Sequence, residues 1–76
     1  MEKIVEILKN VLQIEEVESC NNFIEEGLLD SLDVMELVET IEEEFKIEMS
    51  GRDIIPENFT NVQTIANLVK KYGVEV

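Results

Sequence analysis

From Val34 to Phe45 the core-facing apolar residues are Val34, Leu37, Val38, Ile41 and Phe45. Their spacing is i, i+3, i+4, i+7, i+11, which lines one face of an α-helix. The pattern predicts a helix from Ser31 to Phe45. Asp30 stands where an N-cap is needed, and Asp33 lies in the first turn, where the macrodipole favours an anion. The other face carries Leu32, Met35, Glu36, Glu39, Glu42 and Glu43. A single exposed apolar residue is ordinary. Two adjacent ones among carboxylates, on the side that cannot reach the core, read as a contact site.

Two shorter segments share this period. Ile4, Ile7, Leu8 and Val11 predict a helix from residue 2 to about 13. Val62, Ile65, Ala66, Val69 and Tyr72 predict a last helix starting at Thr60, with Thr60 and Gln63 at capping-box spacing. Lys70 and Lys71 fall in its last turn, and Gly73 is a natural residue just past its end. Between the first two helices, residues 14–30 form a long polar connection with a turn at Gly27. A connection this long in a small chain needs packing of its own. Phe23 and either Leu28 or Leu29 are expected to pin it. Residues 46–60 contain a Ser50-Gly51 turn, and Ile54, Ile55 and Phe59 around Pro56 form a short helix or a packed turn. Pro56 disfavours helical backbone at Ile55. The expected fold is all-α, a small four-helix bundle of three main helices plus a short third one. Residues 1–76 form a single domain, because so short a chain has no room for a second core.

The charge balance is 18 acidic to 6 basic residues, a net −12. Nucleic acid and anionic membrane would both be repelled, whereas a basic protein partner would be attracted. A hydrophobic content of 45% is too high for a disordered acidic tail. The one cysteine, Cys20, cannot form an internal disulfide, which suits a reducing compartment. No apolar stretch has the form of a signal peptide or the length of a membrane span. A cytoplasmic monomer is expected.

Histidine is absent. A Ser–His or Cys–His nucleophile is therefore impossible within the chain. The acidic runs lack the alternating oxygen ligands and central glycine of a calcium loop, and there is no P-loop or dinucleotide fingerprint. No catalytic residue and no metal ligand is assigned. Ser31 is different. Its hydroxyl sits at a helix start, directed away from the bundle, where a phosphodiester would meet free backbone N–H groups. It reads as an acceptor for another enzyme.

The segment Gly27-Leu28-Leu29-Asp30-Ser31-Leu32-Asp33-Val34-Met35-Glu36-Leu37 resembles the phosphopantetheine attachment region of acyl carrier proteins. Glu42-Glu43-Glu44-Phe45 is similar to the acidic end of that family's second helix. Phe23 is similar to its loop aromatic, and Phe59-Thr60-Asn61-Val62-Gln63-Thr64-Ile65 to the start of its last helix. The resemblance spans nearly the whole chain.

It implies that Ser31 receives 4′-phosphopantetheine from coenzyme A through a phosphopantetheinyl transferase. The thiol of that group then carries acyl or aminoacyl cargo as a thioester. The implied partners are the transferase, an acyl- or aminoacyl-activating ligase, and the synthases or transferases of one pathway. Asp30, Leu32, Asp33, Met35, Glu36, Glu39, Glu42 and Glu43 become the recognition surface. Val34, Leu37, Ile41, Ile54, Ile65 and Val69 are read first as core and, by the resemblance, as shelter for cargo. The Gly27-Leu28-Leu29 form and Pro56-Glu57-Asn58-Phe59 resemble stand-alone and D-alanyl carriers, whereas Leu32-Asp33 resembles the fatty-acid form. The alternative is an unmodified acidic helical module that binds a partner through Leu32 and Met35.

Overall fold

A computed structural model of the protein describes residues 2–75. Among the described residues there are three α-helices, α1 (Glu2–Leu12), α2 (Ser31–Phe45) and α3 (Val62–Lys70). Two short 3₁₀ turns, Gly51–Asp53 and Pro56–Phe59, lie between α2 and α3. No strand occurs among the described residues. The all-helical expectation holds, with three α-helices and, where a short helix or a packed turn is expected, two 3₁₀ turns rather than a fourth α-helix. Pro56 divides the two turns: it opens the second, and Ile55 before it is extended at φ −126°, ψ 152°.

The core takes one face from each helix. Ile4, Ile7 and Leu8 of α1 and Leu37, Val38 and Ile41 of α2 are buried in one cluster. The buried face of α3 consists of Val62, Ile65, Ala66, Leu68 and Val69. Helix α1 packs against both α2 and α3. Val34 and Phe45, at the ends of the predicted α2 stripe, are only half-buried.

The long first connection is pinned as expected. Phe23 is fully buried and Leu29 nearly so, while Leu28 is half-buried. The amides of Leu28 and Leu29 both donate to the Phe23 carbonyl, at 2.8 and 3.2 Å. Gly27 makes that return possible with φ +74°, a conformation costly for a residue with a Cβ. Val17 is a further fully buried side chain in this connection, one the helical periodicity does not reveal.

The start of α3 differs from the expectation. Its N-cap is Asn61 rather than Thr60. The Asn61 Oδ1 accepts from the Thr64 amide at 2.9 Å, and the Thr64 Oγ1 accepts from the Asn61 amide at 3.1 Å. Thr60 has helical backbone angles, φ −82° and ψ −35°, and closes the preceding turn. An N-cap requires the extended backbone that Asn61 has. The capping box is therefore Asn61–Thr64, and Gln63 is turned outward.

Candidate functional site at the start of α2

Asp30 caps α2 as predicted, through a reciprocal box. Its Oδ1 accepts from the Asp33 amide at 3.0 Å, and the Asp33 Oδ2 accepts from the Asp30 amide at 3.4 Å. Each carboxylate thus satisfies a backbone donor that the first helical turn would otherwise leave open. This fixes Ser31 as the first residue of α2, with its side chain exposed.

Beside Ser31 lies an open cleft of about 250 Å³, lined by Ser31, Val34, Met35, Ile54, Ile55 and Pro56. One wall is α2 and the other is the segment joining the two 3₁₀ turns. The exposed large apolar side chains among the described residues are Leu32 at 79%, Met35 at 51% and Ile55 at 40%. Met35 and Ile55 line the cleft, and Leu32 comes directly after Ser31. Leu32 and Met35 are as the helical angles predict. Ile55 was missed. Its signal lay in Ile54-Ile55-Pro56, because extended backbone before a proline sends successive side chains to opposite sides.

Four expected recognition carboxylates, Asp30, Glu36, Glu39 and Glu43, are exposed. Asp33 and Glu42 are half-buried and already engaged. Glu42 accepts from the Met49 amide through Oε2 at 2.8 Å, and its carbonyl accepts from the Ile47 amide at 3.1 Å. It therefore fastens the chain leaving α2. Of the six residues read as core and as shelter, Leu37, Ile41, Ile65 and Val69 are fully buried. Val34 and Ile54 are half-buried and line the cleft.

The wall opposite α2 is held by a polar cluster that sequence reasoning did not find. The Tyr72 hydroxyl donates to the Asp53 carboxylate and accepts from the Ser50 amide, the latter at 2.9 Å. The Lys71 Nζ lies 2.9 Å from the Asp53 Oδ1. The Asn58 Nδ2 donates to the Asp53 carbonyl at 2.8 Å. The hydrogen bonds from Tyr72 and then Lys71 hold the Asp53 carboxyl below its ordinary value. The same contacts with Asp53 raise the Tyr72 phenol and the Lys71 ammonium. Helical spacing assigns Tyr72 only to an apolar stripe, and nothing local marks its partner many residues upstream.

Cys20 is half-buried, and its thiol donates to the Glu16 carbonyl at 3.4 Å. Burial, then Glu26 and Glu16, push the thiol above its ordinary pKa, which is the reverse of an activated nucleophile. Charge is unevenly placed. Every Lys and Arg lies outside residues 10–45, the stretch that holds the first connection and α2. Among the described residues no group of acidic or cysteine side chains is placed to hold a metal, and no helix is long and apolar enough to cross a membrane.

Residues 2–71 match the family model described as a phosphopantetheine attachment site. The acyl carrier protein of Buchnera aphidicola subsp. Baizongia pistaciae is 39% identical over 72 residues, covering 92% of this chain and 90% of that protein. The chain belongs to the acyl carrier protein family. The acyl carrier protein of Clostridium acetobutylicum is 34% identical over 76 residues, covering 97% of this chain and 96% of that protein. That of Buchnera aphidicola subsp. Schizaphis graminum is 43% identical over 53 residues, covering 67% of each. Acyl carrier proteins carry rather than catalyse, and their prosthetic group is a covalently attached 4′-phosphopantetheine.

Proposed function

We propose that Ser31 is the attachment point of 4′-phosphopantetheine. The protein then passes acyl or aminoacyl cargo between partner enzymes, as a single carrier domain acting as a cytoplasmic monomer. The observation that carries this reading is the exposed Ser31 hydroxyl at the first position of α2, beside an apolar cleft. The residues suit the group. The helix N-terminus favours a phosphodiester there, and the cleft offers apolar surface to the arm beyond the phosphate. When attached, the group supplies a thiol that holds cargo as a thioester.

The chain's own residues divide the remaining work. Asp30 and Asp33 hold the turn that presents Ser31. Leu32 and Met35 offer apolar contact to a partner. Glu36, Glu39 and Glu43, with the free edge of Asp30, draw in basic partner surfaces and orient them, since exposed charges act chiefly on encounter. Glu42 adds its charge to this face while fastening the chain that leaves α2. The partners are a phosphopantetheinyl transferase, an acyl- or aminoacyl-activating ligase, and the synthases or transferases of one pathway. That pathway is of fatty-acid, polyketide, peptide or D-alanyl type.

The test is direct. The purified chain is incubated with coenzyme A, Mg²⁺ and a broad-specificity phosphopantetheinyl transferase. Intact mass rises by one phosphopantetheine, and Ser31→Ala abolishes the rise. A wild-type chain that gains no mass, or a Ser31→Ala chain that still does, overturns the assignment.

A further inference from the structure

The cleft beside Ser31 is small, and the wall that bounds it is tied down. We propose that Tyr72 and Asp53 are positioning residues that hold this wall closed and so restrict the cleft to short cargo. The proposal rests on Ser31 as the attachment point.

The cleft does not continue into the core. Leu37, Ile41, Phe59, Ile65 and Val69 are fully buried in one core cluster and none of them lines it, and close-packed interiors hold no spare channel. The cleft itself is about 250 Å³, below the roughly 300–1,000 Å³ of pockets that enclose a larger ligand. A short acyl or aminoacyl group can lie along Val34 and Ile54. A long chain can be buried only by parting α2 from the segment that carries Ile54, Ile55 and Pro56.

That segment is fastened at both ends of its first turn. Tyr72 accepts from the Ser50 amide and donates to the Asp53 carboxylate, so one phenol bridges both ends of Gly51–Asp53. Lys71 adds an ion pair to the same carboxylate, and Asn58 holds the Asp53 carbonyl from downstream. Upstream, the Met49 amide is tied to α2 by Glu42. Asp53 immediately precedes the three wall residues. Opening the cleft therefore means breaking a charge-assisted contact between Asp53 and Tyr72, just past the end of α3. None of the cluster's hydrogen bonds reaches Ser31; it meets the lining through the backbone, since Asp53 is bonded to Ile54 and the Asn58 amide donates to the Ile55 carbonyl at 3.0 Å.

Two measurements test this. In the unmodified full chain, hydrogen exchange at the Asp53, Ile54 and Asn58 amides should be about tenfold faster in Tyr72→Phe than in wild type, as expected for loss of one charge-assisted hydrogen bond. The Phe23 and Leu29 amides should be unchanged. In the modified chain loaded with either acetyl or palmitoyl, hydroxylamine should release both from wild type at the same rate. In Tyr72→Phe, and in Asp53→Asn should Tyr72→Phe fail to fold, palmitoyl release should slow several-fold while acetyl release does not. A lower melting temperature without that chain-length difference would mean the cluster is merely structural, and would overturn the proposal. So would unchanged amide exchange, or a wild type that already shields palmitoyl. Failure to modify Ser31 would overturn the attachment reading alone, because the exchange experiment needs no prosthetic group.

Discussion

The backbone amide of Phe23 donates to the carbonyl of Thr60 at 2.6 Å, joining the middle of the first connection to the turn ahead of α3. The Asn61 side chain adds a second tie, donating to the Asn21 carbonyl at 3.2 Å. Buried main-chain groups must find partners, and here two irregular segments supply each other's. The ring of Phe23 has no exposed surface and belongs to the same core cluster as Phe59, ahead of α3. Phe23→Ala is expected to cost about 3–5 kcal/mol by urea denaturation, a large share of so small a domain's stability. A loss below about 1 kcal/mol would show that the ring does not hold the connection in place.

The Asp30–Asp33 box separates capping from charge. Asp30→Ala should lose about 0.5–2 kcal/mol, whereas Asp30→Asn should lose little, because asparagine caps about as well as aspartate. Both variants remove the same charge from beside Ser31. Thermal melts of the pair, run beside their rates of modification by the transferase, divide the two roles. Equal stability losses would show that charge, not the cap, is what Asp30 contributes.

Two carboxylates on α2 should respond differently to reversal. Glu36 is exposed, so Glu36→Lys should leave stability within about 0.5 kcal/mol. It should slow modification at low salt, with the deficit shrinking as salt screens the encounter. Glu42→Lys removes the acceptor of the Met49 amide and should cost about 1–3 kcal/mol. Indistinguishable melting curves for the two variants would contradict the structural role of Glu42.

The Asp53 cluster predicts a pH window. The Asp53 carboxyl is held below its ordinary 3.8, first by the Tyr72 hydrogen bond and then by Lys71. Its contribution to stability is therefore complete above that value and fades as pH falls through the lower folded value. The Tyr72 phenol is raised above 10.0 by Asp53. Its contribution is complete below that value and fades as pH rises through the higher folded one. The stability gap between wild type and Asp53→Asn should thus be flat from about pH 5 to pH 9 and close on further acidification. A gap that persists in strong acid would mean that the carboxylate's charge is not what the cluster uses.

How much could be read from the sequence depends on the reach of each signal. The limits of α2, its Asp30 cap and its exposed Leu32 and Met35 rest on spacing within a few turns, and the structure places them as expected. The α3 start is displaced because Thr60 and Asn61 are both good capping residues, and only the backbone of the preceding turn selects between them. The segment between α2 and α3, expected as a short helix or a packed turn, forms two 3₁₀ turns, divided where Pro56 holds Ile55 extended. Val17, the Phe23–Thr60 bond and the Asp53–Tyr72 pair depend on residues far apart in the chain. Periodicity has no means of finding them.

The absence of Lys and Arg from residues 10–45 has a physical consequence. Outside that stretch acidic and basic residues balance, so the chain's whole net charge of −12 belongs to the first connection and α2. A basic partner's field therefore exerts a torque as well as a pull. At low ionic strength the molecule should rotate during approach and arrive with the first connection and α2 leading. Fewer collisions would then be spent on the wrong face, a gain that salt would erase before it weakened any contact in the finished complex.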